Sequence, residues 1–499
     1  MKKTLIAALV VCGAVTAAAF AASSTETGPS SSQSPYVLPS QNGVVTKSIL
    51  TVGDSVGGYR MVGIPDGLGA AKDRHGNFTV FMNHELANAL GTVRAHGSTG
   101  AFVSQWLIRK HSLAVNSGHD MIQQVATWNA ATAAFNPAAK GVSLGRFCSA
   151  TLAPQSAIYD KRSKLGYRGR LFMDGEEVGT EGRAFAHAED GTSYELAAVG
   201  KYSFENAVAN PATGKATVVV GTDDSTPGQV YVYVGQKTAT GNPAQMAGLT
   251  GGTLYGIKVP GVAVEPTNAG IPSGTAFTAA NLGDVSAKTG AQLETMSDAA
   301  GVTEWFRPED ASWDPTHPTD LYFVITANFT SQTKLYRLRF NDPANPAAGG
   351  VVDQLVEGTE TGGTSEPPHM FDNLTVDRRG HVLVQEDPGA VAYIARIWQY
   401  DIASDALTEV AHHDPDRFAP GGSKFLTIDE ESSGIIDAEK ILGKGWYLLD
   451  VQAHYPNPDP ELVEGGQLLA LFVPSGKGHG DDNEHKSGKK HDGKKKHGD

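Results

Sequence analysis

The sequence predicts an all-β protein, a β-propeller of six blades with a partly helical insertion near residues 86–165. Three observations predict it. Fifty-eight glycines and 26 prolines among 499 residues cut the chain into short pieces. The apolar pieces are rich in Val, Ile, Tyr and Phe, the composition of strands. One unit recurs six times: a turn, a short β-rich run, then a polar or acidic end.

The units are NFTVFMNHE after Gly76, ending at Glu85; RLFMDGEE after Gly169, ending at Glu177; and KATVVVGTDD after Gly214, ending at Asp224. Then come LYFVITAN at Asp320, ending at Asn328; HVLVQED after Gly380, ending at Asp387; and WYLLDVQAH after Gly445, ending at His454. Their spacing is uneven, so no fixed-length repeat is present. Further strand-like runs lie between them at 229–235, 253–259, 333–340 and 393–401. Amphipathic helices are few; the best is Gly100 to Lys110, with Phe102, Trp106 and Leu107 on one side. In a propeller the innermost strand of each blade lines the channel, so the polar ends of six such strands are expected to meet at one mouth.

The ends of the chain read differently. Lys2 and Lys3 precede an apolar stretch from Leu5 to Phe20, and Ala19-Phe20-Ala21 is a small-residue cleavage site. Residues 1–21 are therefore expected to be a signal peptide cut after about Ala21, giving a secreted or periplasmic protein. Residues 22–40 read as a flexible leader and 41–474 as the propeller. Residues 475–499 are a Lys, His, Gly and Asp-rich tail that cannot bury enough surface to fold. Its histidines could pick up transition metals loosely; a solubilising tail or tether is the blander reading. The mature chain keeps one cysteine, Cys148, which excludes an internal disulfide. No other stretch is long and apolar enough to span a membrane. A net charge of −14 argues against nucleic acid or anionic lipid as partners and suits cations. A monomer is expected.

The acidic strand ends carry the chemistry. Glu85, Glu176, Glu177, Glu205, Asp223, Asp224, Glu309, Glu386 and Asp387 are candidate ligands. Carboxylates converging in a protein interior are stable only when neutralised, and their oxygens suit hard cations. A single acid after a strand is usually a solvated turn residue; recurrence in most units argues for convergence. His84 and His187 could add nitrogen ligands or be structural. Cys148 in GRFCSA could be a nucleophile, a soft metal ligand or merely buried. Arg307-Pro308-Glu309-Asp310 sets a planar guanidinium beside two carboxylates, which suits a phosphoryl group or a surface ion pair. Arg146 and Arg183 are weaker candidates for the same work. The nucleophile elbow, the phosphate-binding P-loop and the His-Glu-x-x-His helix are all missing.

At these residues the chain resembles the PhoX family, secreted calcium-dependent alkaline phosphatases with a β-propeller fold. The matching pieces are MNHE (82–85), GEE (175–177), FEN (204–206), VVVGTDD (218–224), VYVYVG (230–235), RPED (307–310) and DNLTVDRRGHVLVQEDPG (372–389). The resemblance implies hydrolysis of small phosphorylated substrates at a channel-mouth cluster of Ca²⁺ with a pair of iron ions. It implies Glu85, Glu176, Glu177, Glu205, Asp223, Asp224, Glu309 and Asp387 as metal ligands, and Arg307 and Glu309 as catalytic residues. Gly175 stands where the family pattern has the cysteine that bridges the iron pair, which leaves calcium as the implied metal and the iron pair without its thiolate. Two rival readings are a non-catalytic, metal-stabilised propeller that binds a partner, and a calcium-dependent propeller esterase or lactonase.

Overall fold

The computed structural model describes residues 22–73 and 75–474. The signal peptide, the tail and its histidines lie outside the described residues. Six antiparallel units follow one another along the chain. Their innermost strands are Pro65–Lys72, Phe147–Leu152, Phe204–Ala209, Pro308–Trp313, Phe371–Val376 and Glu430–Asp437, here blades 1 to 6. Each innermost strand packs beside the next, and the sixth packs beside the first, so the cycle closes.

The closure uses both ends of the described chain. Val45–Thr51 pairs antiparallel with Gly465–Phe472 as the fourth strand of blade 6, and Ser24–Thr27 adds to it in parallel. Val37–Pro39 pairs with Ala406–His413 on the outside of blade 5. Residues 22–40 are therefore not a flexible leader. Tyr36 and Val37 are buried, and the segment fastens two blades.

The six recurring runs fall one to a blade, but on the second strand rather than the innermost. They become Asn77–His84, Leu171–Glu176, Ala216–Asp223, Asp320–Ile325, His381–Glu386 and Trp446–Ala453. The reason is burial. A second strand has a neighbouring blade on both faces, so it reads as a continuous apolar run. Val218 and Val220 enter the apolar layer against blade 4, while Val219 enters the layer against blade 2. Val382 and Val384 meet blade 4, and Leu383 meets blade 6. The innermost strands carry polar residues towards the axis and so give a weaker signal. Six such interblade layers hold the ring together. Each fully buried Val or Leu contributes about 1.5–3 kcal/mol.

The expected helix at Gly100 to Lys110 is a strand, Phe102–Arg109, in blade 1. From Ser104 onward, buried and less buried residues alternate, with Trp106 and Ile108 inward, which is a period of two. Residues 86–165 are accordingly not a helical insertion. They hold the outer strands of blade 1 and the innermost strand of blade 2, with one helical turn at Gln155–Ile158.

Leu50 is fully buried in the closing strand between blades 6 and 1. Leu50→Ala is expected to lower unfolding stability by about 2–5 kcal/mol in equilibrium denaturation, whereas Thr25→Ala, at an exposed position, leaves it unchanged.

Candidate metal centre

The same backbone device opens every blade. The first residue of each innermost strand pairs with the last residue of the second strand: Pro65 with His84, Phe147 with Glu176, Phe204 with Asp223, Pro308 with Ile325, Phe371 with Glu386 and Glu430 with Ala453. The ladder then slips, at once in five blades and three residues later in blade 6. Such a bulge re-aims a side chain. The residue that follows the pair is Asp66, Cys148, Glu205, Glu309, Asp372 or Glu431. These six form an inner ring at one mouth of the channel.

An outer ring stands beside it. The amide after each second strand donates to the carbonyl of the residue before the innermost strand: Glu85 to Ile64, Glu177 to Arg146, Asp224 to Ser203, Thr326 to Arg307, Asp387 to Met370 and His454 to Asp429. Four of those six carbonyl residues, Ile64, Arg146, Arg307 and Met370, have φ of 48°, 40°, 65° and 45°. Left-handed conformations at non-glycine residues are costly and persist where surrounding structure enforces them.

The ligand atoms of Asp66, Glu85 and Cys148 lie within 4.8 Å of one another, as do those of Glu205, Glu309 and Asp372 and those of Asp372, Asp387 and Glu431. Every inner-ring residue is buried. Glu205 Oε1 has no hydrogen-bond partner among the described residues. Burial pushes the Glu205 carboxyl up to about 8. Burial, then the charge of Glu431, pushes Asp387 up to about 7. Burial, with neighbouring carboxylates, also raises Asp66, Glu309 and Asp372, and it raises the Cys148 thiol, which donates to Asp66 Oδ2 at 3.4 Å. These groups fit cations. Two all-oxygen triads suit a hard ion such as Ca²⁺, and a triad with one sulfur suits a softer ion.

Two arginines lean over the rings from equivalent places. Arg146 reaches Glu85 (2.6 Å) and Glu177 through Nη2. Arg307 is held by Asp224 through Nε (2.8 Å) and Nη2 (3.0 Å), and Nη2 lies 2.7 Å from Glu309 Oε1. At the opposite rim, His454 is buried, which disfavours its cation, but hydrogen bonds to Glu431 and Glu464 outweigh that and bring its pKa up to about 11. Gln452 Nε2 donates to Asp66, Glu85 and Glu431, each at 3.1 Å.

Of the residues expected from sequence, Glu85, Glu205, Glu309 and Asp387 stand in the three triads, and Glu177 and Asp224 brace the arginines. Glu176 and Asp223 do not join them. Glu176 is gripped by Arg183 at 2.6 Å through two donors, and Asp223 accepts from Ser203 N (3.1 Å) and Ser225 Oγ (2.8 Å). Glu386 points away, accepting from Trp398 Nε1 (2.9 Å), Tyr393 OH, Arg396 N and His369 N. His84 lies against Gly63 O (3.1 Å) and Ser104 Oγ (2.9 Å), and His187 against Asp174 (2.8 Å), so both are structural. Asp66, Asp372 and Glu431 were not singled out in the sequence. Their signal is a recurring start, Pro65-Asp66, Phe147-Cys148, Phe204-Glu205, Pro308-Glu309 and Phe371-Asp372.

Gly175 pairs with Ala184 inside blade 2, and a Cβ there would lie 2.3 Å from Phe204 Cβ, so no side chain fits. Cys148, on the adjacent innermost strand, is a buried free cysteine.

The sequence profile of the family described as alkaline phosphatase PhoX matches residues 186–396. Over those residues the chain is similar to PhoX. That region holds Glu205, Arg307, Glu309, Asp372 and Asp387. The fold of Pseudomonas fluorescens PhoX, solved in complex with vanadate, a transition state analogue, matches 86% of this chain and 95% of that one, with a TM-score of 0.59 at 13% identity. A PQQ-bound aldose sugar dehydrogenase from Streptomyces coelicolor also matches, at a TM-score of 0.34 and 10% identity over 86% of this chain and 98% of that one. No curated protein sequence matches.

Carboxyls raised to about 7 and 8 in the folded chain hold protons that the unfolded chain has already lost. Their contribution to stability is complete below about pH 4 and disappears as pH rises through 8. Buried His84 and His413, pushed down to about 3 by burial, act in the opposite sense and only below about pH 6.5. Chelator-treated protein is therefore expected to melt at progressively lower temperature from pH 7 to 8.5, and added Ca²⁺ should reduce that slope, leaving the share due to His454 and Glu386. A flat profile without cations would contradict the clustering.

Proposed function

We propose that the protein is an exported, metal-dependent phosphatase that hydrolyses small phosphate esters at the ringed mouth of the channel. The observation that carries this reading is the pair of arginines. Arg146 and Arg307 occupy equivalent positions in blades 2 and 4, each braced by an outer-ring carboxylate and each beside an acid of the triads. Guanidinium forks match phosphoryl oxygens. No hydrogen bond is made by Nη1 of Arg307 or by Nε and Nη1 of Arg146 among the described residues, although each guanidinium is paired with two carboxylates. The PhoX profile match supports the same chemistry.

Glu205, Glu309, Asp372, Asp387 and Glu431 would hold calcium. Asp66, Glu85 and Cys148 would hold a softer ion, for which iron is the reading the family suggests. Bound cations of this kind supply Lewis acidity towards phosphoryl oxygens. The chain's own part is orientation. Asp224 fixes the plane of Arg307, and Glu177 with Glu85 fixes Arg146, so both donors are aimed before substrate arrives and need no reorganisation as charge develops. Gln452 ties Asp66, Glu85 and Glu431 into one geometry. Export rests on the expected signal peptide; no helix among the described residues is long and apolar enough to cross a membrane. A monomer is the expected state. Gly175 is the feature that favours a non-catalytic propeller; Cys148 beside Asp66 and Glu85 supports the catalytic reading.

The purified mature protein is expected to hydrolyse an aryl phosphate with Ca²⁺ and to stop in excess chelator. Arg307→Ala should lower kcat/KM by about 10²–10³, with the metal content retained. Full turnover in chelator, or none with any added metal, would remove the reading. Cys148→Ser is expected to keep calcium by elemental analysis and to lose the softer metal.

A further inference from the structure

Beyond the rings, the channel is blocked. Ser149 Oγ of blade 2 donates to Asn373 Oδ1 of blade 5 at 2.8 Å, directly across the axis, and Gly434 N of blade 6 donates to the same oxygen at 2.9 Å. Asn206 Nδ2 of blade 3 donates to Asp310 Oδ1 of blade 4 at 2.6 Å, and Asp310 Oδ2 accepts from Leu374 N of blade 5 at 3.0 Å. These bonds involve the residues just after the inner ring. They form a floor that separates the metal mouth from what lies beneath.

Beneath the floor, the second halves of the innermost strands enclose a cavity of about 720 Å³. Its walls are mixed, with Val208, Trp313, Leu374 and Ile436 among the apolar residues and Asn206, Asp310, Ser312 and Thr375 among the polar ones. It opens at the mouth opposite the rings. Three exposed cations stand at that opening: Lys161 from blade 2, Arg378 from blade 5 and Lys440 from blade 6. None makes an ion pair or side-chain hydrogen bond among the described residues. Burial, then the charge of Arg378, lowers the Lys440 pKa against the opposing charges of Asp437 and Glu439, so Arg378 and Lys440 stand near each other. Unpaired positive charge is unusual on a chain of net charge −14. The only acid lining the cavity near its opening, Asp160, is engaged by Ser163 and the Arg162 amide.

We propose that this cavity is a second binding site, for a small organic anion whose apolar body lies against the strand walls and whose anionic head sits between Lys161, Arg378 and Lys440. An apolar cavity of several hundred Å³ with a few convergent polar groups is the usual form of a small-molecule site. Arg378 and Lys440, near enough to perturb one another, fix one end of the ligand, with Lys161 on the same cavity. The floor keeps the site apart from the metals, so occupancy requires neither bound metal nor phosphatase turnover.

Benzenesulfonate tests this, because it carries one anionic head, ligates metals weakly and is no substrate for ester hydrolysis. Saturation-transfer NMR on the full-length protein as purified should give saturable binding. Arg378→Gln with Lys440→Gln should weaken it at least tenfold, as should Ser312→Phe, which fills the cavity. Arg307→Gln, at the metal mouth, should leave it unchanged. The neutral analogue benzyl alcohol should bind at least tenfold more weakly. Absence of saturable binding, or binding lost in Arg307→Gln and kept in the Arg378 and Lys440 double variant, would overturn the assignment.

Discussion

Glu205, Glu309 and Asp372 bring their ligand oxygens within 4.8 Å of one another at buried positions. Two like charges about 4 Å apart repel by ~4 kcal/mol at an effective dielectric of about 20. Two such carboxylate triads share Asp372, and the third triad joins Asp66 and Glu85 to Cys148. Without cations, burial first and neighbouring charges second push the Glu205 and Asp387 carboxyls up and favour their protonated forms. With cations the repulsion becomes attraction. Either way, the strain falls on the innermost strands, and the six apolar layers between blades are what resists it. Each layer joins one blade to the next, so the ring cannot relax by moving a single blade outward.

The geometry of the mouth follows from a small irregularity repeated around the ring. Each ladder slips just after its first pair, or three residues later in blade 6, and the re-aimed residue joins the inner ring. The amide after each second strand is tied back to the carbonyl before the first. Left-handed residues at Ile64, Arg146, Arg307 and Met370 supply the sharp entry. In blades 1 and 5 that position carries an apolar side chain; in blades 2 and 4 it carries arginine. The same turn therefore presents arginine in two blades and an apolar side chain in two others, and the difference is residue choice alone.

How much of this was legible in the sequence depended on which strand carried the signal. The second strands are buried on both faces, so runs such as VVVG at 218–221 announced themselves and gave six units. Five of their six polar ends, at Glu85, Glu177, Asp224, Asp387 and His454, are outer-ring residues; the sixth position is Thr326, two residues before Asn328. The inner ring was half hidden. Asp66, Asp372 and Glu431 sit at the start of short strands whose polar, axis-facing residues have no clear alternation. Of the pairs Glu176-Glu177 and Asp223-Asp224, only the second member of each stands in the outer ring, because adjacent strand residues point to opposite faces. Phe102–Arg109 was misread because three aromatic and aliphatic residues at helical spacing also suit a strand of period two. The pairing of the first 30 or so described residues with blades 5 and 6 is a contact across the whole chain, and local composition is silent about it.

The placement of Cys148 shows why position within a blade matters more than neighbourhood in sequence. Glu176-Glu177 drew attention to Gly175, yet Gly175 is packed against Phe204 with no room for a side chain. Antiparallel pairing sets Phe147 opposite Glu176, so the next residue, Cys148, lands in the ring beside Asp66 and Glu85. A thiol at that point is one of six equivalent ring members, the rest of which are carboxylates. Substituting sulfur for oxygen at a single member changes which ion one triad prefers and leaves the other two unchanged. An oxygen-lined pair of triads beside a mixed one is thus a direct consequence of one residue at a repeated position.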